Sequence, residues 1–213
     1  KNNNYLKVTY SGISKLLYFF NHKLLDLNVP DFYNEHIIEI GGGAVDHLKY
    51  MNSKSIKTYT IVDSNIFKKK VIKLSYKYKN IKIKFLNYKK INILKNKSKY
   101  SRLIASHSFE HFENFERDFL KLMPIMKKKS ILSIALPCDP GMSWRLLQFM
   151  SYFNQKKLYK WNNLREKDLD DTRDHLTSVQ SILKVLRYYF LNFNKLFFPF
   201  FIPIIEINIF LIL

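Results

Sequence analysis

The residues best suited to chemistry begin with one run, Glu39-Ile40-Gly41-Gly42-Gly43, and an acid farther on, Asp63. Glycines let a backbone turn sharply and come close to a ligand. An acid about 20 residues past such a turn stands at the offset that holds a ribose diol. The dinucleotide pattern G-x-G-x-x-G would need glycine at position 46, where this chain has Asp46. An anion there disfavours a pyrophosphate. Glu39 instead suits a ligand that carries an amino group.

These residues need elements to hold them. Ile37 to Ile40 reads as a short buried strand and Ala44 to Met51 as a helix, with Ala44, Leu48 and Met51 on its apolar side. A strand, a glycine turn and a helix build a nucleotide-sized pocket, and the helix N-terminus offers N–H groups to a carboxylate. The pattern then alternates. Further strands are expected at Lys57 to Val62, Ile81 to Phe85, Arg102 to Ser106 and Ser130 to Leu136. Helices are expected at Ser14 to Leu27, Ile66 to Tyr78, Ser108 to Met126, Met142 to Phe153 and Ser178 to Phe190. The first has Leu16, Leu17, Phe20, Leu24 and Leu25 on one side; Ser108 is a candidate cap for the third. In the fourth, Trp144, Leu147 and Met150 form the apolar face. Lys156 to Arg173 is charged and reads as an insertion or lid. Leu196 to Ile202 and Ile204 to Leu213 read as a strand pair; Pro199, Pro203, Glu206 and Asn208 argue against a membrane span.

The net charge of +19 points toward an anionic partner. Its spread tells another story. Lys, Asn, Ile, Tyr and Phe are all abundant, as in AT-rich coding, and Lys68-Lys69-Lys70 and Lys127-Lys128-Lys129 read as solvated element ends. No arginine-rich cluster with interleaved aromatics stands out. The single cysteine, Cys138, excludes an intrachain disulfide and fits a reducing compartment. The opening residues Lys1-Asn2-Asn3-Asn4 show no secretory signal. The localisation expected is cytoplasmic, or peripheral at the inner membrane surface.

Glu39 to Gly43 resembles the first motif of class I S-adenosylmethionine-dependent methyltransferases, and Ile61-Val62-Asp63-Ser64 their second. Leu103 to Phe112, with Glu110-His111, resembles the segment after their fourth strand; Phe119 to Pro137 resembles the helix and strand that follow. The resemblance covers roughly residues 35 to 140. It implies an α/β, Rossmann-like, seven-stranded, mostly parallel sheet with an antiparallel last strand and helices on both faces. It implies S-adenosylmethionine as cofactor, held by Glu39, Gly41, Gly42, Gly43, Asp63, Ser64, Asn87 and Ser106. Relatives often carry an acid at position 87; Asn87 either recognises the adenine amine or is a plain turn asparagine. Relatives usually have aspartate where this chain has Ser101. The expected organisation is one domain, 1–213, with an N-terminal helical cap at 1–30 and a helical acceptor-side insertion at 142–191.

Methyl transfer is an in-line displacement, so the protein mainly supplies alignment. An oxygen nucleophile also needs a base, most often histidine. The candidates are His107, His111 and His175; each also has a structural reading, as packing, as a contact along a shared helix face, or beside a cap at Asp174 or Thr177. No metal site is expected: Glu110, His111 and Glu113 lack a second ligand cluster. Cys138 has no histidine near in sequence to make it a nucleophile. Pro137 to Gly141 with Trp144-Arg145, and Asp174 to Thr177, resemble methyltransferases found among bacterial surface-polysaccharide genes. Asp139, Trp144 and Arg145 are therefore the expected substrate residues, able to offer hydrogen bonds and a flat face to a sugar; the structural alternative is a rigid Pro-Gly turn with Trp144 in the core. The expected reaction is methylation of a small-molecule or saccharide acceptor at oxygen. The alternatives are a methyltransferase of RNA or another polyanion, and a non-catalytic basic protein binding membrane surface or nucleic acid on the same fold.

Overall fold

The computed structural model describes residues 12–43, 47–64, 67–89 and 99–213. Seven strands run β1 (His36–Ile40), β2 (Thr58–Asp63), β3 (Lys82–Asn87), β4 (Tyr100–Ser106), β5 (Met126–Pro137), β6 (Leu196–Phe198) and β7 (Phe210–Ile212). Six α-helices are described: α1 (Gly12–Leu25), α2 (Lys68–Lys77), α3 (Phe115–Leu122), α4 (Met142–Tyr159), α5 (Leu164–Asp174) and α6 (Val179–Tyr189). The sheet order is β3-β2-β1-β4-β5-β7-β6, with β7 antiparallel to both of its neighbours. The expected mostly parallel α/β sheet is therefore present.

The central strands are apolar because both faces are covered. Ile37 and Ile38 in β1 and Leu103 and Ile104 in β4 have no exposed surface. The parallel register pairs Ile40 with Val62 on one side and with Ala105 on the other, and Asp63 with Asn87. This alignment brings the carboxyl ends of β1, β2 and β4 level.

Two compact units divide the chain, each with its own interior. One comprises Leu25–Ser108 and Asn114–Ile134. Its interior holds a full polar anchor. Arg102 is completely buried and donates to Ser133 Oγ (3.0 Å), Asp26 Oδ1 (2.6 Å), Asn34 Oδ1 (2.8 Å) and the Leu25 carbonyl (2.7 Å). Ser101 accepts from the His36 N–H at 3.1 Å and lies 2.7 Å from the Tyr33 carbonyl.

The other unit takes in the N-terminal helix to Leu24, Phe109–Glu113 and Ala135–Leu213. In it α6 follows its apolar period: Val179, Ile182, Leu183 and Leu186 are buried, and the Ser178 hydroxyl caps the Ser181 N–H. In α5, Asn163 caps the Glu166 N–H at 3.0 Å, and the Glu166 carboxylate reaches back to the Asn162 N–H at 2.8 Å. The turn between β6 and β7 is built around Asn208. Its amide donates to the Ile202 and Ile204 carbonyls (2.8 and 2.7 Å) and accepts from the Phe200 N–H (3.1 Å).

Several expectations change. The helix expected over 44–51 is a 3-10 turn, His47–Lys49, in its described part; Ala44 to Asp46 lie outside the described residues, as does Ile66 at the start of the expected 66–78 helix. The helix expected over 108–126 breaks into a 3-10 turn at Phe109–His111, α3 and a second 3-10 turn at Met123–Ile125. Asn114, not Ser108, caps α3, accepting from the Arg117 N–H at 2.9 Å. The cap at α6 is Ser178 rather than Asp174 or Thr177. On α1, Leu25 of the expected stripe is buried, but Leu16 is exposed while Asn21 and His22 are buried, so the inward face is partly rotated from that stripe. On α4, Met150 is exposed and Tyr152 buried, again a rotation. The final strand pair is only three residues per strand, because Pro199 and the Asn208-centred turn claim the rest. No helix among the described residues is long and apolar enough to cross a membrane.

Candidate functional site

The expected donor residues all lie at the carboxyl ends of β1 to β4, within the first unit. Gly41 leaves β1 with its N–H bonded to the Val62 carbonyl at 2.9 Å. Its φ of +69° puts it in the left-handed region, and an added Cβ would lie 2.5 Å from Ser108 Cβ. Only glycine fits there. Gly42 backs onto Glu39: a Cβ would meet Glu39 Oε2 at 2.6 Å.

The acids flank this turn. Asp63 Oδ2 accepts from the Gly43 N–H at 2.7 Å, and Oδ1 accepts from the Ser64 N–H at 2.5 Å. Asp63 therefore ties the glycine turn to the end of β2. A carboxylate has about four acceptor positions, so hydroxyls of a bound ribose still find room on it. Glu39 is buried and accepts from Tyr59 OH at 2.8 Å. Burial first, and the nearby Asp63 charge, push its carboxyl up to about 8 against the opposing Tyr59 bond and Arg102 charge. An uncompensated acid of this kind is poised for a cationic ligand. The Asn87 side-chain oxygen accepts from the Lys89 N–H at 2.9 Å, which is the turn role. Ser106 ends β4, half-buried.

The expected acceptor residues fall mostly in the second unit. His175 Nδ1 lies 2.9 Å from Asp139 Oδ2, and its ring stacks at 6.1 Å from Trp144 and lies tilted at 59° to the His111 ring, 5.4 Å away. His111 Nδ1 lies 2.6 Å from the Asp174 carbonyl. The backbone sews the two histidine segments together: Leu176 and Thr177 donate N–H groups to the Glu110 carbonyl at 2.8 and 2.9 Å. Burial pulls the His175 pKa down, but the Asp139 hydrogen bond and the charges of Glu110, Asp139 and Asp171 outweigh it, and the net shift is upward. Arg145, an expected substrate residue, lies on α4.

His107 belongs to the other unit and follows β4 with a φ of +47°. That backbone, and the late start of α3, remove the helix face it was expected to share with His111. Cys138 is buried, and burial followed by the Glu206 charge pushes its thiol up to about 12, which rules out a thiolate nucleophile near neutrality. Sequence reasoning missed two things: the direct Asp139–His175 hydrogen bond, and Glu110 beside the two histidines.

Neither a family model nor a curated protein sequence matches the chain. Solved structures do match. The YcgJ protein of Bacillus subtilis superposes with a TM-score of 0.58 at 9% identity, over 85% of this chain and 71% of that one. The CurJ carbon methyltransferase gives 0.59 at 14%, over 97% and 56%. The fold is that of the class I S-adenosylmethionine-dependent methyltransferases. The plantazolicin methyltransferase BpumL, solved in complex with SAH, gives 0.58 at 16% identity over 92% of this chain and 74% of that one. This chain thus spans little more than half of CurJ but three quarters of BpumL.

Proposed function

We propose that the chain transfers a methyl group from S-adenosylmethionine to an oxygen of a small-molecule or saccharide acceptor. The observation that carries this reading is the Asp139–His175 pair, 2.9 Å apart, with the Trp144 ring stacked beside the imidazole. An oriented imidazole beside a flat apolar ring is a fitting place to activate a sugar hydroxyl. On the donor side, Glu39 meets the amino group, Gly41 to Gly43 let the backbone approach, Asp63 takes the ribose hydroxyls, and Ser64, Asn87 and Ser106 border the rest. Methyl transfer itself needs alignment more than acid–base power, so His111 and His175 serve the acceptor and not the donor.

Histidine-to-glutamine variants at 107, 111 and 175, assayed against a panel of hydroxylated acceptors, test this. Loss of the activating histidine lowers turnover by roughly 10²–10⁴-fold while calorimetric SAH binding survives. Near-normal turnover in all three refutes the histidine role. The net charge of +19 favours a second reading, a polyanion acceptor. Added salt separates the two, because polyanion binding weakens steeply with ionic strength and sugar binding does not.

A further inference from the structure

We infer that Glu110, His111 and His175 form a binding site for a first-row divalent cation of the Zn²⁺ type. One ligand atom from each, a carboxylate oxygen and two ring nitrogens, lies within 4.8 Å of the others. All three residues belong to one unit, and the backbone bonds from Leu176 and Thr177 to the Glu110 carbonyl fix their segments against each other.

The ring tautomers carry the argument. A carbonyl oxygen only accepts, so His111 Nδ1, 2.6 Å from the Asp174 carbonyl, holds the hydrogen. The Asp139 carboxylate does the same for His175 Nδ1 at 2.9 Å. Both Nε2 lone pairs are left for a ligand. Histidines that bind metals characteristically donate their other N–H to a carboxylate or a backbone carbonyl, and here one does each. Two imidazoles and a carboxylate suit Zn²⁺, Fe²⁺ or Mn²⁺, with further positions open to an outside oxygen.

The spacing asks for a small adjustment. Ligands bonded at about 2.1 Å to one ion lie roughly 3–3.5 Å apart, so the trio closes by about 1 Å on loading. The exposed His111 ring can supply that movement. Glu110 is buried, and a cation compensates its charge. A cation on the His175 Nε2 takes the lone pair that a general base would use, so when it is bound the cation, and not the imidazole, polarises the acceptor hydroxyl; that role rests on the methyl-transfer reading, whereas whether it binds does not.

The test uses the whole chain, stripped with chelator and titrated with Co²⁺ at about pH 8. The expected result is one visible d–d absorption band saturating at one Co²⁺ per chain and displaced by Zn²⁺. His111→Gln and His175→Gln each weaken binding by at least about tenfold, and Asp139→Asn, which leaves all three ligands in place, also weakens it. Circular dichroism melts show which variants fold, and the wild-type titration stands without them. No Co²⁺ band in the wild type, or wild-type affinity in both folded histidine variants, overturns the inference. If chelated protein binds SAH and methylates a hydroxyl but binds no Co²⁺, the cation site falls and the function stands. Co²⁺ binding with no SAH binding has the opposite meaning.

Discussion

The substitution Glu39→Gln tests the donor turn through its electrostatics. Glu39 has an ordinary carboxyl value of 4.5, raised to about 8 by burial in the folded protein. Its folded value exceeds its unfolded one. The stabilisation it gives is therefore complete below the unfolded value and is lost as pH rises through the folded one. Between the two values the free energy of unfolding falls by about 1.4 kcal/mol per pH unit, which amounts to roughly 2–3 kcal/mol between pH 5 and pH 7. The substituted amide keeps the volume and can still accept from Tyr59 OH, but it has no proton to lose. The assay is urea unfolding of both proteins at pH 5, 6 and 7. The wild type should lose stability across that range by roughly 2–3 kcal/mol more than the variant, since every other titrating group is common to both. Parallel pH slopes would show that Glu39 is ionised at neutral pH, and the account of a buried neutral acid awaiting a cation would be wrong.

Three further outcomes are expected. SAH binding at pH 7 should release about one proton, because a bound ammonium restores Glu39 to its ordinary range; calorimetry in two buffers of different ionisation heat reads this, and buffer-independent heats would remove Glu39 from the donor site. Gly41→Ala should destabilise by roughly 1–3 kcal/mol and cost donor affinity, since φ there is positive and Ser108 blocks the new methyl; unchanged SAH affinity by calorimetry would show that the turn does not face the donor. Arg102→Ala should cost about 3–5 kcal/mol in urea unfolding, because it strands Asp26, Asn34 and Ser133 together; a loss under about 1 kcal/mol would show that water replaces the guanidinium.

Much of this was legible in the residues themselves. The apolar runs at Ile37 to Ile40 and Leu103 to Ala105 announce central strands, and Gly41 to Gly43 between a strand and Asp63 announces a tight glycine turn. Helix phase was less legible. On α1 and α4 apolar and aromatic residues occur on every side, so periodicity cannot choose the inward face, and buried Asn21 and His22 mislead any apolar count. The break before α3 was hidden because Asn114, its cap, sits inside a run that reads as continuous helix. The Asp139–His175 pair joins residues 36 apart, and His111 meets Asp174 across 63. Only the chain's path brings such groups together, and neither spacing nor composition records it.

The turn between β6 and β7 has a practical consequence. One side chain, Asn208, organises it from within, through backbone groups that any residue supplies. The outward residues Phe200, Ile202 and Ile204 are exposed and give that scaffold their main chain, whereas the exposed Phe201 also sets its ring edge-on to Phe198 at 6.2 Å and holds a φ of +58°. The segment therefore behaves as an exchangeable cassette. Evolution or an engineer can rewrite its surface at positions 200, 202 and 204 from greasy to charged, one residue at a time, while a single amide keeps its shape; position 208 itself tolerates no such drift, since aspartate there would offer two acceptors to two carbonyls.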